Sequence, residues 1–169
     1  MRNKAKTIIA LLLLVLIAAC FTACKKNVPG EKTGAVCTLS VDCLTILDNI
    51  GQLDPDKLEL IPEDGYILHP VEVAFEEGES VFDIVQRELK NRGIHMEASF
   101  APAYNSAYIE GINNIYEFDC GYSSGWEYCV NGEFPNYGCS AYYPKDGDVI
   151  EFRFTCDLGN DLGNVYGGE

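Results

Sequence analysis

The chain has 169 residues, and its 26 acidic against 12 basic side chains leave a formal net charge of −14. That balance repels phosphate backbones and anionic lipid heads, and so argues against a nucleic-acid partner. The length suits one folded domain with a modest core behind an N-terminal targeting segment.

Arg2, Lys4 and Lys6 precede an uninterrupted small or apolar run over residues 7–19. Such a run has signal-peptide length and falls short of the ~20 residues of a spanning helix. It closes on Leu16-Ile17-Ala18-Ala19-Cys20, the pattern of a bacterial lipobox, so Cys20 is expected to be lipidated and residues 1–19 removed. Cys24, after Phe21-Thr22-Ala23, is the poorer candidate because Phe replaces the aliphatic residue three places upstream. Loss of residues 1–19 removes three cations and no acid, which takes the net charge to −17. Residues 20–35, with Lys25, Lys26, Pro29, Gly30 and Gly34, read as a flexible tether. The expected location is extracytoplasmic, on a bacterial membrane, held by lipid chains rather than by a spanning helix.

The domain is expected over residues 36–157, with an acidic, Gly-rich tail over 158–169. Residues 36–43 alternate as a strand. Residues 44–61 read as a helical excursion, with Asp54 as a cap and Pro55 at a first helical position. Residues 62–65 form a turn, 70–75 a second strand with Val71, Val73 and Phe75 on one face, and 76–79 a solvated acidic turn. Ser80 caps a helix that puts Val81, Phe82, Val85 and Leu89 on one side. Asp83 stands where a capping box prefers Glu or Gln, so only part of that signal is present. Gly93 stops the helix after Lys90 and Arg92. Strands follow at 94–100 and 108–112, a turn at 113–114, and a loop over 120–124. Trp126, Tyr128 and Val130 then alternate with Glu127, Cys129 and Asn131 as a half-buried strand. Asn131-Gly132 gives a tight turn, and Asp146-Gly147 another before the last strand with Ile150, Phe152 and Phe154. From residues alone the class is α+β with a central helix.

Six cysteines lie beyond the signal region: Cys37, Cys43, Cys120, Cys129, Cys139 and Cys156. An even number in a small secreted domain suggests disulfides, and six allow 15 pairings. If the first and last strands lie side by side and parallel, Cys43 meets Cys156, and Cys120 with Cys139 then staples the aromatic loop. No C-x-x-C pair is present, so zinc or redox-active spacing is absent.

The run Gly125-Trp126-x-Tyr128-x-Val130-Asn131-Gly132-x-Phe134-Pro135-Asn136-Tyr137-Gly138, followed by Lys145-Asp146-Gly147-Asp148-x-Ile150-Glu151-Phe152, resembles the bacterial domain family named after the C-terminal domain of transcobalamin. The resemblance covers roughly residues 36–156 and implies a β-grasp-like mixed sheet packed on one helix. In transcobalamin the related domain closes over cobalamin held against a large helical domain. A corrinoid is therefore one implied ligand, although this chain has no room for the helical partner. Many members of the family have no assigned function.

Catalytic signals are weak. Gly121-Tyr122-Ser123-Ser124-Gly125 matches G-x-S-x-G, but that motif needs a following helix and a later His, whereas His69 and His95 both precede the serine. Neither histidine belongs to an H-E-x-x-H metal motif. Asp157, Asn160 and Asp161 lack EF-hand spacing. Neither a cofactor nor a metal is expected. Eight of the ten tyrosines lie between 104 and 143, together with Trp126 and Phe134. Aromatic side chains offer rigid contact area, and Tyr adds a polar tip. The expected function is a non-catalytic surface module that binds a small molecule, glycan or peptide through Tyr122, Trp126, Phe134, Pro135, Asn136 and Tyr137. The alternative is a structural or adhesive envelope module making protein–protein contacts.

Overall fold

Apolar residues at alternate positions carry the first strand into the centre of a sheet. In the computed structural model, which describes residues 34–103 and 105–164, β1 (Ala35–Asp42) sends Cys37, Leu39 and Val41 into the core. The signal peptide 1–19, the lipidation candidate Cys20, most of the tether 20–35 and residues 165–169 of the tail lie outside the described residues. β2 (Tyr66–Phe75), β6 (Gly125–Val130) and β7 (Val149–Thr155) complete a four-stranded sheet in the order β2-β1-β7-β6. The first and last strands are parallel neighbours, Leu39 level with Ile150 and Val41 with Phe152, while the outer pairs are antiparallel. β2 runs through Pro70, which has no N–H to give a ladder. An edge position makes this tolerable, and the pairing with β1 shifts register between Val71 and Leu68 around it.

α1 (Leu44–Asp48) is short, and 3₁₀ turns at Ile50–Gln52 and Pro55–Leu60 replace the rest of the expected excursion. Asp54 does cap the second turn, accepting from the Asp56 N–H at 3.0 Å. α2 (Val81–Arg92) starts on a complete capping box, with the Ser80 N–H donating to Asp83 at 2.9 Å and the Asp83 N–H to Ser80 Oγ at 3.2 Å. The shorter Asp thus does the work expected of Glu. Val81, Ile84, Val85 and Leu89 are buried in one core with β1, β2 and β7, and Phe82 is only half-buried. Gly93 ends the helix at φ 71°.

The single wrapped sheet that the sequence suggests is in fact two sheets. β3 (Met96–Ala101), β4 (Ser106–Ile112) and β5 (Ile115–Tyr116) form a separate three-stranded sheet. Asn113 and Asn114, both at positive φ, reverse the chain in two residues, so these strands pair locally. Several hydrogen bonds join this sheet to the rest, among them Lys57 Nζ to the Asn114 carbonyl at 2.8 Å and Asn113 Nδ2 to the Leu60 carbonyl at 3.2 Å. The Trp126 indole on β6 donates to the Ile115 carbonyl at 2.9 Å, and the Ala107 N–H donates to Ser140 Oγ at 2.9 Å. The Asn131-Gly132 turn forms as expected, but only Glu133 bridges back to Val130, and the chain leaves the sheet before returning as β7.

All six cysteines among the described residues are free thiols. The parallel β1–β7 pair does bring Cys43 and Cys156 to the same end of the sheet. Their thiols point elsewhere, Cys43 to the Gly65 carbonyl at 3.5 Å and Cys156 to Thr45 Oγ1 at 3.6 Å. Cys120 and Cys139 have different surroundings: Cys120 donates to the Asn49 carbonyl at 3.6 Å, and Cys139 lies near Tyr128 and Asp83. The expected staple across the aromatic loop is therefore not formed. No helix among the described residues is long and apolar enough to cross a membrane.

Candidate ligand-binding groove

A groove of about 670 Å³ opens at the end of β6 where β5 enters it and β7 leaves. One wall is the 117–124 loop and the other the 156–162 segment. The first is fixed by its own hydrogen bonds. The Tyr116 N–H donates to Asp119 at 2.7 Å, the Cys120 N–H to Ser124 Oγ at 3.1 Å, and the Phe118 N–H to the Ser124 carbonyl at 3.1 Å. Lys57 pairs with Asp119 at 3.3 Å from the other side. The loop's base is thus held while its tip projects, leaving Tyr122 93% exposed.

The second wall turns back on itself. The Cys156 N–H donates to Asp161 at 2.7 Å, and the Gly159 N–H to Thr155 Oγ1 at 2.7 Å. The Leu158 N–H donates across to the Ser123 carbonyl at 2.9 Å, and Asn164 donates to Glu127 at 2.7 Å. Residues 158–164, assigned by composition to a tail, are here tied to the body. Gly159 has φ 83°, which favours glycine, and a Cβ there would stand 2.7 Å from a Glu127 carboxylate oxygen, which would have to move.

Two bulky residues on the groove hold left-handed backbone, Phe118 at φ 70° and Leu158 at φ 49°. Neither gains burial from it, since they are 58% and 61% exposed. Left-handed backbone costs a residue with a Cβ about 1–2 kcal/mol, and such strain clusters at functional sites. Phe118 and Tyr122 form a tilted ring pair with centroids 5.9 Å apart. Trp126 closes the floor, nearly buried and edge-on to Phe154 at 5.2 Å. Tyr108 donates to Glu117, and burial together with that carboxylate raises the phenol's pKa, so it stays a donor. Among the described residues no lysine, arginine or histidine lines the groove, and its charged groups are Glu117 and Glu127. The surface combines ring faces, one aliphatic side chain and fixed carboxylates.

Of the residues singled out from sequence, Tyr122 and Trp126 meet in this groove. Phe134, Pro135, Asn136 and Tyr137 follow the opposite end of β6, where Tyr137 stacks on Tyr142 at 6.2 Å and its carbonyl accepts from Tyr128 at 2.7 Å. Phe118, Leu158, Tyr108 and Glu117 were missed. Tyr108 belongs to the tyrosine cluster visible in the sequence but was not singled out; for Phe118 and Leu158 the signal is backbone conformation, and Glu117 carries none. Ser123 lines the groove but leads into strand β6 rather than a helix. His69 stacks on Tyr66 and pairs with Asp64, and His95 contacts Tyr116, both outside the groove. Among the described residues no group of three or more His, Cys, Asp or Glu is placed to hold a metal ion.

Residues 78–156 match the model of a family described as a domain of unknown function (DUF4430). No curated protein matches the chain. Among solved structures, the chain is similar to haptocorrin in complex with Cbi, at 16% identity and a TM-score of 0.49 over 76% of this chain. It spans 27% of that haptocorrin chain. It is also similar to a candidate metal-binding protein from Ruminococcus gnavus ATCC 29149, at 13% identity and a TM-score of 0.42, over 72% of this chain and 96% of the other.

Proposed function

We propose that the chain is a non-catalytic binding module, anchored through lipid on Cys20 outside a bacterial membrane, which takes a small molecule, glycan or peptide in the groove between the 117–124 and 156–162 segments. The observation that carries the reading is the pair Phe118 and Leu158, strained in backbone yet exposed in side chain, beside the projecting Tyr122. Backbone hydrogen bonds to Ser124 and Ser123 hold the two strained residues in place, and the strain leaves both side chains turned to the groove, as at ligand sites. The parallel central strands with α2 sharing their core support a β-grasp-like architecture for the module.

Trp126, the only tryptophan, reports on the groove floor. Titrating the full chain with corrinoids, cell-wall glycan fragments, mucin glycans and basic or aromatic peptides should give a saturable fluorescence change with one class. Tyr122→Ala and Phe118→Ala should each abolish it without lowering the thermal midpoint. A response that survives both substitutions would place the site elsewhere, and no response to any class at millimolar concentration would overturn the reading. Radiolabelled fatty acid should label the wild type and not Cys20→Ala; unchanged labelling would overturn the anchor.

A structural or adhesive role has its own observation. The stacked Tyr137 and Tyr142 with the 61% exposed Tyr143 form an aromatic patch at the far end of β6. In that case Tyr137→Ser and Tyr143→Ser weaken contact with envelope proteins and leave the Trp126 signal untouched.

A further inference from the structure

Cys156 alone of the six described cysteines is more than marginally exposed. It faces a small polar pocket of about 420 Å³ that shares Tyr122 and Ser123 with the groove. Its thiol donates to Thr45 Oγ1 at 3.6 Å, and the Cys120 thiol donates to the Asn49 carbonyl at 3.6 Å. Thr45 and Asn49 stand one turn apart and are themselves joined, Asn49 Nδ2 donating to the Thr45 carbonyl at 2.9 Å. Both sulfurs therefore rest on neighbouring polar groups of one short segment, Thr45 and Asn49, at the same place on α1 and its C-terminal cap. The backbones that carry them are already tied through Leu158 and Ser123. Cys43 is near but turned toward Gly65, and Cys129 donates to Glu151 at 3.2 Å.

We infer that Cys120 and Cys156 are a disulfide-forming pair, and that their bond locks together the two walls of the groove. Closing it turns both thiols away from Thr45 and Asn49 and toward each other, to a sulfur–sulfur bond of about 2.05 Å. The oxidant is the disulfide of a thiol oxidoreductase or of a small thiol. The Cys156 thiolate, the reachable one, attacks that disulfide and expels one thiolate. Cys120, deprotonated, then attacks the Cys156 sulfur and expels the second. Two protons and two electrons leave the pair, and the acceptor departs as two thiols. Burial pushes the Cys156 thiol up to about 12 and raises Cys120 as well. Thiolate is scarce at neutral pH, so closure accelerates as pH rises. Thiols of such high pKa are also poor leaving groups, so the bond once made resists exchange. This inference does not rest on the binding reading.

The test uses the full chain in a buffer of oxidised and reduced glutathione at about pH 8, where thiolate is more abundant. It is then alkylated under denaturing conditions and digested without reductant. Mass spectrometry should find the Cys120 peptide joined to the Cys156 peptide, with two hydrogens lost, while Cys37, Cys43, Cys129 and Cys139 are alkylated. Oxidised protein should melt at a higher temperature than reduced protein. Cys120→Ser or Cys156→Ser should remove both the cross-link and that difference; Cys139→Ser should change neither. A Cys43–Cys156 or Cys120–Cys139 link, or full alkylation of Cys120 and Cys156 after oxidation, would overturn the inference. The wild-type peptide map decides the matter even if a variant fails to fold.

Discussion

Asp42 is 2% exposed at the end of the central strand, where Arg153 Nε donates to it at 3.3 Å and the Leu44 N–H at 3.3 Å. Burial raises its pKa above 3.8, and Arg153 pulls it back. The folded protein therefore holds this proton to higher pH than the unfolded chain. That contribution to stability is complete below the unfolded value and lost as pH rises through the folded one. Ionised Asp42 is thus a liability that Arg153 contains. Arg153→Met should cost about 3–5 kcal/mol in urea unfolding at neutral pH, because it strands a buried charge. The deficit should shrink in mild acid as Asp42 takes up its proton, and Asp42→Asn added to Arg153→Met should recover most of it. An equal deficit at neutral and acid pH would refute this account. Phe118 makes the opposite prediction. Glycine accepts φ 70° without penalty, so Phe118→Gly should hold or raise the thermal midpoint while removing the ligand response. A drop in midpoint would show that the ring supports the fold.

Among the elements, α2 was the most legible, since its cap, apolar face and glycine stop are all local chemistry. Its N-terminus supplies a pH test. The Ser80 side chain and N–H, bonded to Asp83, hold that carboxyl below its usual value. The stabilisation is present above the unfolded pKa and lost as pH falls through the lower folded one. Ser80→Ala should cost about 1 kcal/mol at neutral pH and progressively less in strong acid. The small sheet was only half legible. Its strands and the turn at Asn113-Asn114 show in the pattern, but its separation from the main sheet also depends on the joint at Ser140, which the pattern does not reveal. Gly138 belongs to that joint: a Cβ there would stand 1.7 Å from Ser106 Oγ. Gly138→Ala should therefore loosen β4 from the 139–141 turn, seen as faster amide exchange in β3–β5 with β1 and β7 unaffected. Uniformly faster exchange would mean that the two sheets open as one unit.

At the scale of the whole molecule, a net charge of −14 pushes the folded chain apart. Raising ionic strength from ~0.01 M to ~0.15 M shortens the screening length from about 30 Å to about 8 Å, so the thermal midpoint should rise with salt. A midpoint that falls would mean that attractive pairs such as Arg87 with Glu79 and Glu88 dominate. The parallel contact of the first and last strands was readable from two apolar strands at the chain's ends. The groove was readable only through Tyr122 and Trp126, because the residues that shape it are set by backbone angles and by segments far apart in sequence. That same seam governs how the molecule is made. β1 has its lasting neighbour in a strand more than a hundred residues later, so a growing polypeptide carries it half-paired until the final ribbon emerges. The domain is assembled late and all at once, and a chain stopped before residue 149 should have no native state to reach.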